Sequence, residues 1–271
     1  MAAGIVAGLW VVGLLRSIAP MAADTPTVRL DAGQLAKRLA AATGSTQPDL
    51  AGVDLSGLDL TGVNFKGANL TGARLAGAKM AGANLFSCDL TDAVASDAVL
   101  TKANMDGTVL RRADFQRANM EGASLFATIL EKTNLAGANL AGTRLIGFLR
   151  SANLAGASLK NSNAGPDPGN QSMGVMRATF VGADLTGADL SGANLFKADF
   201  SHANLTGAKL RGANLENADL VQTDFGRADL ADARLAKANI EGANFRGATG
   251  MSTTKGLDQA RNRDKAIFDA H

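Results

Sequence analysis

The chain has 271 residues, 27 Lys+Arg against 25 Asp+Glu, two His, one Cys, one Trp, no Tyr and 31 Gly. Aromatics at 4% exclude a core dominated by large rings, and a hydrophobic share of 46% excludes a disordered chain. One Cys excludes an internal disulfide and a Cys-cluster metal site, and a net charge of +2 gives no general case for nucleic-acid binding.

Residues 2–15 form an apolar run closed by Arg16. The run is shorter than the ~20 residues of a spanning helix and fits the apolar region of a secretory signal. Small residues between Pro20 and Asp24 offer a processing site, so residues 1–23 are expected to be a cleaved signal peptide and the protein exported, in a periplasm. The alternative is an uncleaved membrane anchor with Arg16 snorkelling to the interface. Residues 24–49 read as a linker followed by a capping helix over 28–41: Asp31 is placed as N-cap, Gln34 completes a capping box, and Leu35 and Leu39 share a face.

From Leu55 a large apolar residue returns every five positions to Leu145, broken only by Ala95. After a four-residue step the series resumes at Leu149, Leu154 and Leu159, and a third run goes from Phe180 to Phe245. Of these 36 positions, 35 are Leu, Phe, Met or Ile, and Ala stands two residues earlier in 26. On a helix a step of five would spiral the leucines over every side; on a flat strand it would alternate their faces. Only a backbone that turns a corner every five residues keeps them all inside. Four such sides close a 20-residue coil, which sets Phe180 over Phe200 and Phe225 over Phe245. Glycines such as Gly57 and Gly62, two places after the large residue, suit the corners. The 36 units then give about nine coils and a rod roughly 40 Å long.

Between the runs, residues 160–177 carry Gly165, Pro166, Pro168 and Gly169 and break the pattern. They read as an inserted loop leaving one corner, with coils over 50–159 and 178–249 on either side. Leu145 and Phe180 are 35 residues apart, so the two stretches rejoin in phase. In residues 250–271, Leu257, Ala260, Ile267 and Phe268 could gather on one side of a second capping helix. The expected fold is an all-β solenoid with short helical caps at both ends.

The units Ala68-Asn69-Leu70, Ala183-Asp184-Leu185, Ala188-Asp189-Leu190 and Ala193-Asn194-Leu195 resemble the pentapeptide repeat family over roughly residues 50–249. The resemblance implies a right-handed quadrilateral β-helix. It implies no single function, because members have several roles. In some members a C-terminal helix also forms a dimer interface, so homodimerisation through the C-terminal segment stays open.

No catalytic set emerges. His202 should face solvent, His271 is terminal, Cys88 occupies an inward small position, and the aspartates belong to the repeat. No enzyme activity, cofactor or metal is expected. The family's gyrase-protecting DNA mimics carry an acidic surface, whereas residues 48–249 hold 20 acids and 19 interspersed bases. The expected role is an exported, rigid protein-protein interaction or scaffolding module. A topoisomerase-binding DNA mimic and a membrane-anchored envelope element are the alternatives. Positions 20 apart stack into outward columns, one of them Lys66, Phe86, Asp106, Phe126, Ile146. Phe86, Phe126 and Ile146 are therefore expected to form an outward ledge, covered either by the inserted loop or by a partner, with Phe148, Met173 and Met176 nearby and Phe196 on a different column.

Overall fold

The computed structural model describes residues 27–42, 46–166 and 177–270. Residues 1–23, expected to be a signal peptide, and Met173 and Met176 lie outside these. Over the described residues from 49 onward the chain is a square coil. Residues 20 apart bridge in parallel, as in Asn64↔Asn84↔Asn104 and Asp184↔Asn204↔Asp224. The four sides of a coil are called A to D here; Leu70, Leu75, Met80 and Leu85 head them in turn.

One unit shows why five residues suffice. The Asn69 and Leu70 amides donate to Pro48 and Asp89 on the neighbouring coils, at 2.9 and 2.7 Å. At the corner Gly72 donates to Thr91, again one coil on, and Ala73 turns back to the Leu70 carbonyl. The remaining amide, Thr71, is taken by the Asn69 side chain at 3.1 Å. Every N–H in the unit is thereby satisfied, as a buried ladder requires. The Asp or Asn before the large residue is thus a corner cap, and the same bond recurs at Asp54 to Ser56 and Asp89 to Thr91.

Side chains fill the interior in two layers per side. Leu, Met or Phe at the large position and Ala two residues earlier are almost all fully buried. Phe180 stacks on Phe200 with centroids 4.5 Å apart, and Phe225 on Phe245 at 5.0 Å. Thr108, Thr133 and Thr223 replace Ala at no polar cost, because each hydroxyl donates to a backbone carbonyl. The second corner residue is left-handed throughout: Gly57 at φ 71°, but also Arg112 at 57°. There an inter-coil bond from the Arg112 amide to Glu131 holds a conformation that non-glycine residues disfavour.

At the N-terminal end α1 (Ala32–Ala41) carries the Asp31–Gln34 capping box, and Leu35 and Leu39 are buried in the solenoid core. The Lys66 ammonium donates to the Leu39 carbonyl at 2.9 Å and ties the last turn of α1 to the first coil. Val53, Leu58 and Val63 take the small position there. There they meet α1 and residues 28–30 in place of a complete earlier coil.

The C-terminal segment differs from the expected helix. Lys255, Arg261 and Ile267 bridge to Arg234, Asn239 and Asn244, so the chain makes another coil with six-residue sides. Short 3-10 turns at Leu257–Gln259 and Arg263–Lys265 lengthen its corners by a residue. Phe268 extends the ring stack on Phe245 at 5.3 Å. The bridging edge of the preceding coil outweighs the helical spacing of a few apolar residues.

Candidate interaction surface

The two irregularities of the repeat fall on one corner. β1 (Ser124–Ile129) pairs in parallel with β2 (Arg144–Phe148), with Phe126 opposite Ile146 and Thr128 opposite Gly147, so Ala127 has no counterpart. The four-residue step is therefore a corner between sides D and A that lacks one residue. On the next coil Asn163 bridges Arg144 and Asn194, which places Ala164 in the large position. The inserted loop leaves from Gly165, at the same corner one coil higher.

That register revises the expected ledge. Phe196 follows Leu195 on side D, so it lies in the column of Phe86, Phe126 and Ile146 and not on a different one. Phe86 is 54% exposed. Phe126 is half-buried, with the Arg144 guanidinium 4.0 Å from its ring centre and Asp106 accepting from its amide at 2.9 Å. Ile146, expected to be exposed, is fully buried on the shortened corner. Phe148 is 46% exposed, but on side A, beside Ile129 in the ladder. The sequence spacing could not show this, because a missing residue and an insertion both shift the column count.

Side A carries a second feature that the ledge reading missed. Its outward column reads Asp89, Val109, Ile129, Phe148, Thr179, Asp199. Three successive positions that in most units hold Asp or Asn are apolar. Along the corner between sides A and B, Arg111, Arg112, Glu131, Lys132 and Arg150 line a cleft of about 180 Å³. Arg112 grips Asp92 with two bonds of 2.7 and 2.6 Å, and Arg111 meets Glu131 at 3.1 Å. The Arg112 guanidinium bonded to Asp92 holds that carboxyl below its ordinary range.

Burial pushes the Cys88 thiol up to about 12, which keeps it protonated and unreactive. His202 is exposed at a corner. Among the described residues, no cluster of His, Cys, Asp and Glu could hold a metal ion, and no helix is long and apolar enough to cross a membrane.

The model of pentapeptide repeats matches eight copies over residues 49–85, 88–125, 118–147, 176–212 and 208–247, well over half of the chain. The chain belongs to the pentapeptide repeat family. Its square coil is the family's right-handed β-helix. Among solved structures it is similar to HetL, a pentapeptide repeat protein involved in heterocyst differentiation regulation from the cyanobacterium Nostoc sp. strain PCC 7120. The two are 32% identical over 88% of this chain and 94% of that one, with a TM-score of 0.43. A pentapeptide repeat protein from the Arabidopsis thaliana thylakoid lumen is 34% identical over 42% of this chain and 66% of its own, with a TM-score of 0.20. QnrB1, a plasmid-mediated fluoroquinolone resistance protein, is 14% identical over 80% of this chain and 89% of its own, at a TM-score of 0.38. A comparison with curated protein sequences found no match.

Proposed function

We propose that this pentapeptide repeat protein is a non-enzymatic, exported module that binds a protein partner on its rigid faces. The observation that carries this reading is the placement of large apolar side chains outside a core that does not need them. Phe86 and Phe148 are about half exposed on a surface that is otherwise mostly polar and charged. In a solenoid the ladder is made by backbone bonds between neighbouring coils and the core by inward side chains, so an outward phenylalanine is required by neither. Phe86, Phe126 and Phe148 are the proposed contacts, with Met173 and Met176 of the inserted loop as adaptable ones.

In this reading α1 and the six-residue-sided last coil act as caps that cover the apolar interior at each end. The last coil leaves a cleft of about 530 Å³ lined by Phe245, Met251, Leu257 and Phe268, and a homodimer would form there. The apolar run 2–15 supports export, with a mature terminus near Asp24.

The test is affinity capture from the envelope fraction of the source cell with the purified protein as bait. A protein retained by wild type and lost on combining Phe86→Ser with Phe126→Ser, at unchanged melting temperature, is the expected result. No specifically retained protein removes the interaction role. An intact Met1 terminus on protein found in the cytosol, and not released by osmotic shock, removes export.

A further inference from the structure

Side A of the solenoid shows three consecutive side chains that cannot cap their own corner. In most units the Asp or Asn before the large residue accepts from the amide two positions on, as at Asp89 to Thr91 and Asp114 to Gln116. Val109, Ile129 and Phe148 stand at this position on consecutive coils and have no oxygen to offer. Among the described residues, the amides of Arg111, Glu131 and Arg150 accordingly have no acceptor. An Asx-type cap has been given up three times in a row on one face, in exchange for apolar side chains that are half-buried or exposed.

The same corner is basic. Arg112 is held by Asp92 and Arg111 by Glu131, but Lys132 and Arg150 are exposed and have no ion pair among the described residues. Donors without acceptors and cations without counterions thus run beside an apolar stripe, all within three coils.

We propose that side A between Val109 and Phe148 binds an extended acidic segment of a partner protein. Its apolar side chains would lie on Val109, Ile129 and Phe148, and its carboxylates would meet Lys132, Arg150 and the open corner amides. The carboxylates would take the place of the missing Asp and Asn oxygens. The footprint fits a peptide: from Val109 to Phe148 are two coil-to-coil steps of ~4.8 Å, or ~10 Å, the reach of three or four extended residues. It does not fit a membrane, because the column ends on the carboxylates of Asp89 and Asp199, which an anionic lipid plane would have to cover. This assignment rests on the interaction role proposed above and names the surface and the chemistry of its partner.

A displayed library of random dodecapeptides, selected on the immobilised full-length protein, tests it. Enriched peptides should combine Asp or Glu with apolar residues. Their affinity should fall about tenfold or more when Lys132→Glu is combined with Arg150→Glu, and should fall with added salt. Val109→Asn, which returns a cap oxygen to the Arg111 amide, should weaken them too. Four results overturn the assignment: no enrichment, enrichment without acidic residues, unchanged affinity in the Lys132→Glu/Arg150→Glu variant at matched melting temperature, or binding of phosphatidylserine-containing vesicles that this variant loses. Should the double variant not fold, Phe148→Ser serves in its place, with the same readings. Capture of an envelope protein that survives the double variant would leave the interaction role standing and sink only this surface.

Discussion

At the residue scale, a pentapeptide unit is a problem of amide accounting. Two N–H groups enter the ladder, two are used at the corner, and the fifth depends on an Asp or Asn oxygen. That dependence gives a stabilising substitution. Val109→Asn should form the bond to the Arg111 amide that Asp89 forms to Thr91 and raise stability by about 0.5–1 kcal/mol, measured by urea denaturation. A neutral or destabilising result would mean that Val109 packs too closely on its ladder neighbours for the cap to compensate. The Arg112–Asp92 and Arg117–Asp97 pairs join neighbouring coils by the same 20-residue step. In each the arginine bonded to the carboxylate lowers its pKa. Folded-state carboxylates with depressed pKa values favour the native coil above the ordinary carboxylate range, and that contribution is lost as pH falls through the lowered values. With Arg112→Met, the Asp92 carboxyl should titrate back upward in a carbon-detected NMR titration while Asp97 stays put.

At the scale of one side, the constraint is volume. Ala188 is fully buried two residues before Leu190, in a square too narrow for two large groups. Ala188→Leu should destabilise by about 1–3 kcal/mol through overpacking, whereas Ser191→Leu at the adjacent corner should change stability little. Equal effects in chemical denaturation would refute the inward assignment. Corners are more tolerant than sides. The corner at Ile146 omits a residue and the one at Gly165 accepts an insertion, yet the ladder continues past both; the last coil adds a residue per side and still pairs with the coil before it. A corner keeps a turn bond of its own, as from Ala73 to Leu70, so its length can change while the flanking sides keep their partners.

At the scale of the whole molecule, stability is a sum over neighbouring coils. Removing residues 206–225, one full turn, joins Leu205 to a corner of the same kind and keeps every face in register. That deletion should leave a folded, shorter rod with a similar melting temperature. Removing only residues 208–210 shifts inward residues outward for the remainder of the chain and should abolish the cooperative transition seen by circular dichroism.

The five-residue period by itself determined the square coil, its inward residues and its stacked rings, because no helix or flat strand can bury a side chain every fifth position. The capping box of α1 was equally legible, since Asp31 and Gln34 act on amides within one turn. What the tertiary structure decided lies where local signals meet the neighbouring coil. The apolar spacing of residues 257–268 suggests a helix, but the open edge at Arg234, Asn239 and Asn244 recruits that segment as a coil. Phe196 shares a corner with Phe126, and Ile146 is buried, because a deleted residue and an inserted loop lie one above the other. The stripe of Val109, Ile129 and Phe148 is hidden in sequence for the same reason: the missing residue sets Phe148 19 positions after Ile129, and only the inter-coil hydrogen bonds place the two side by side.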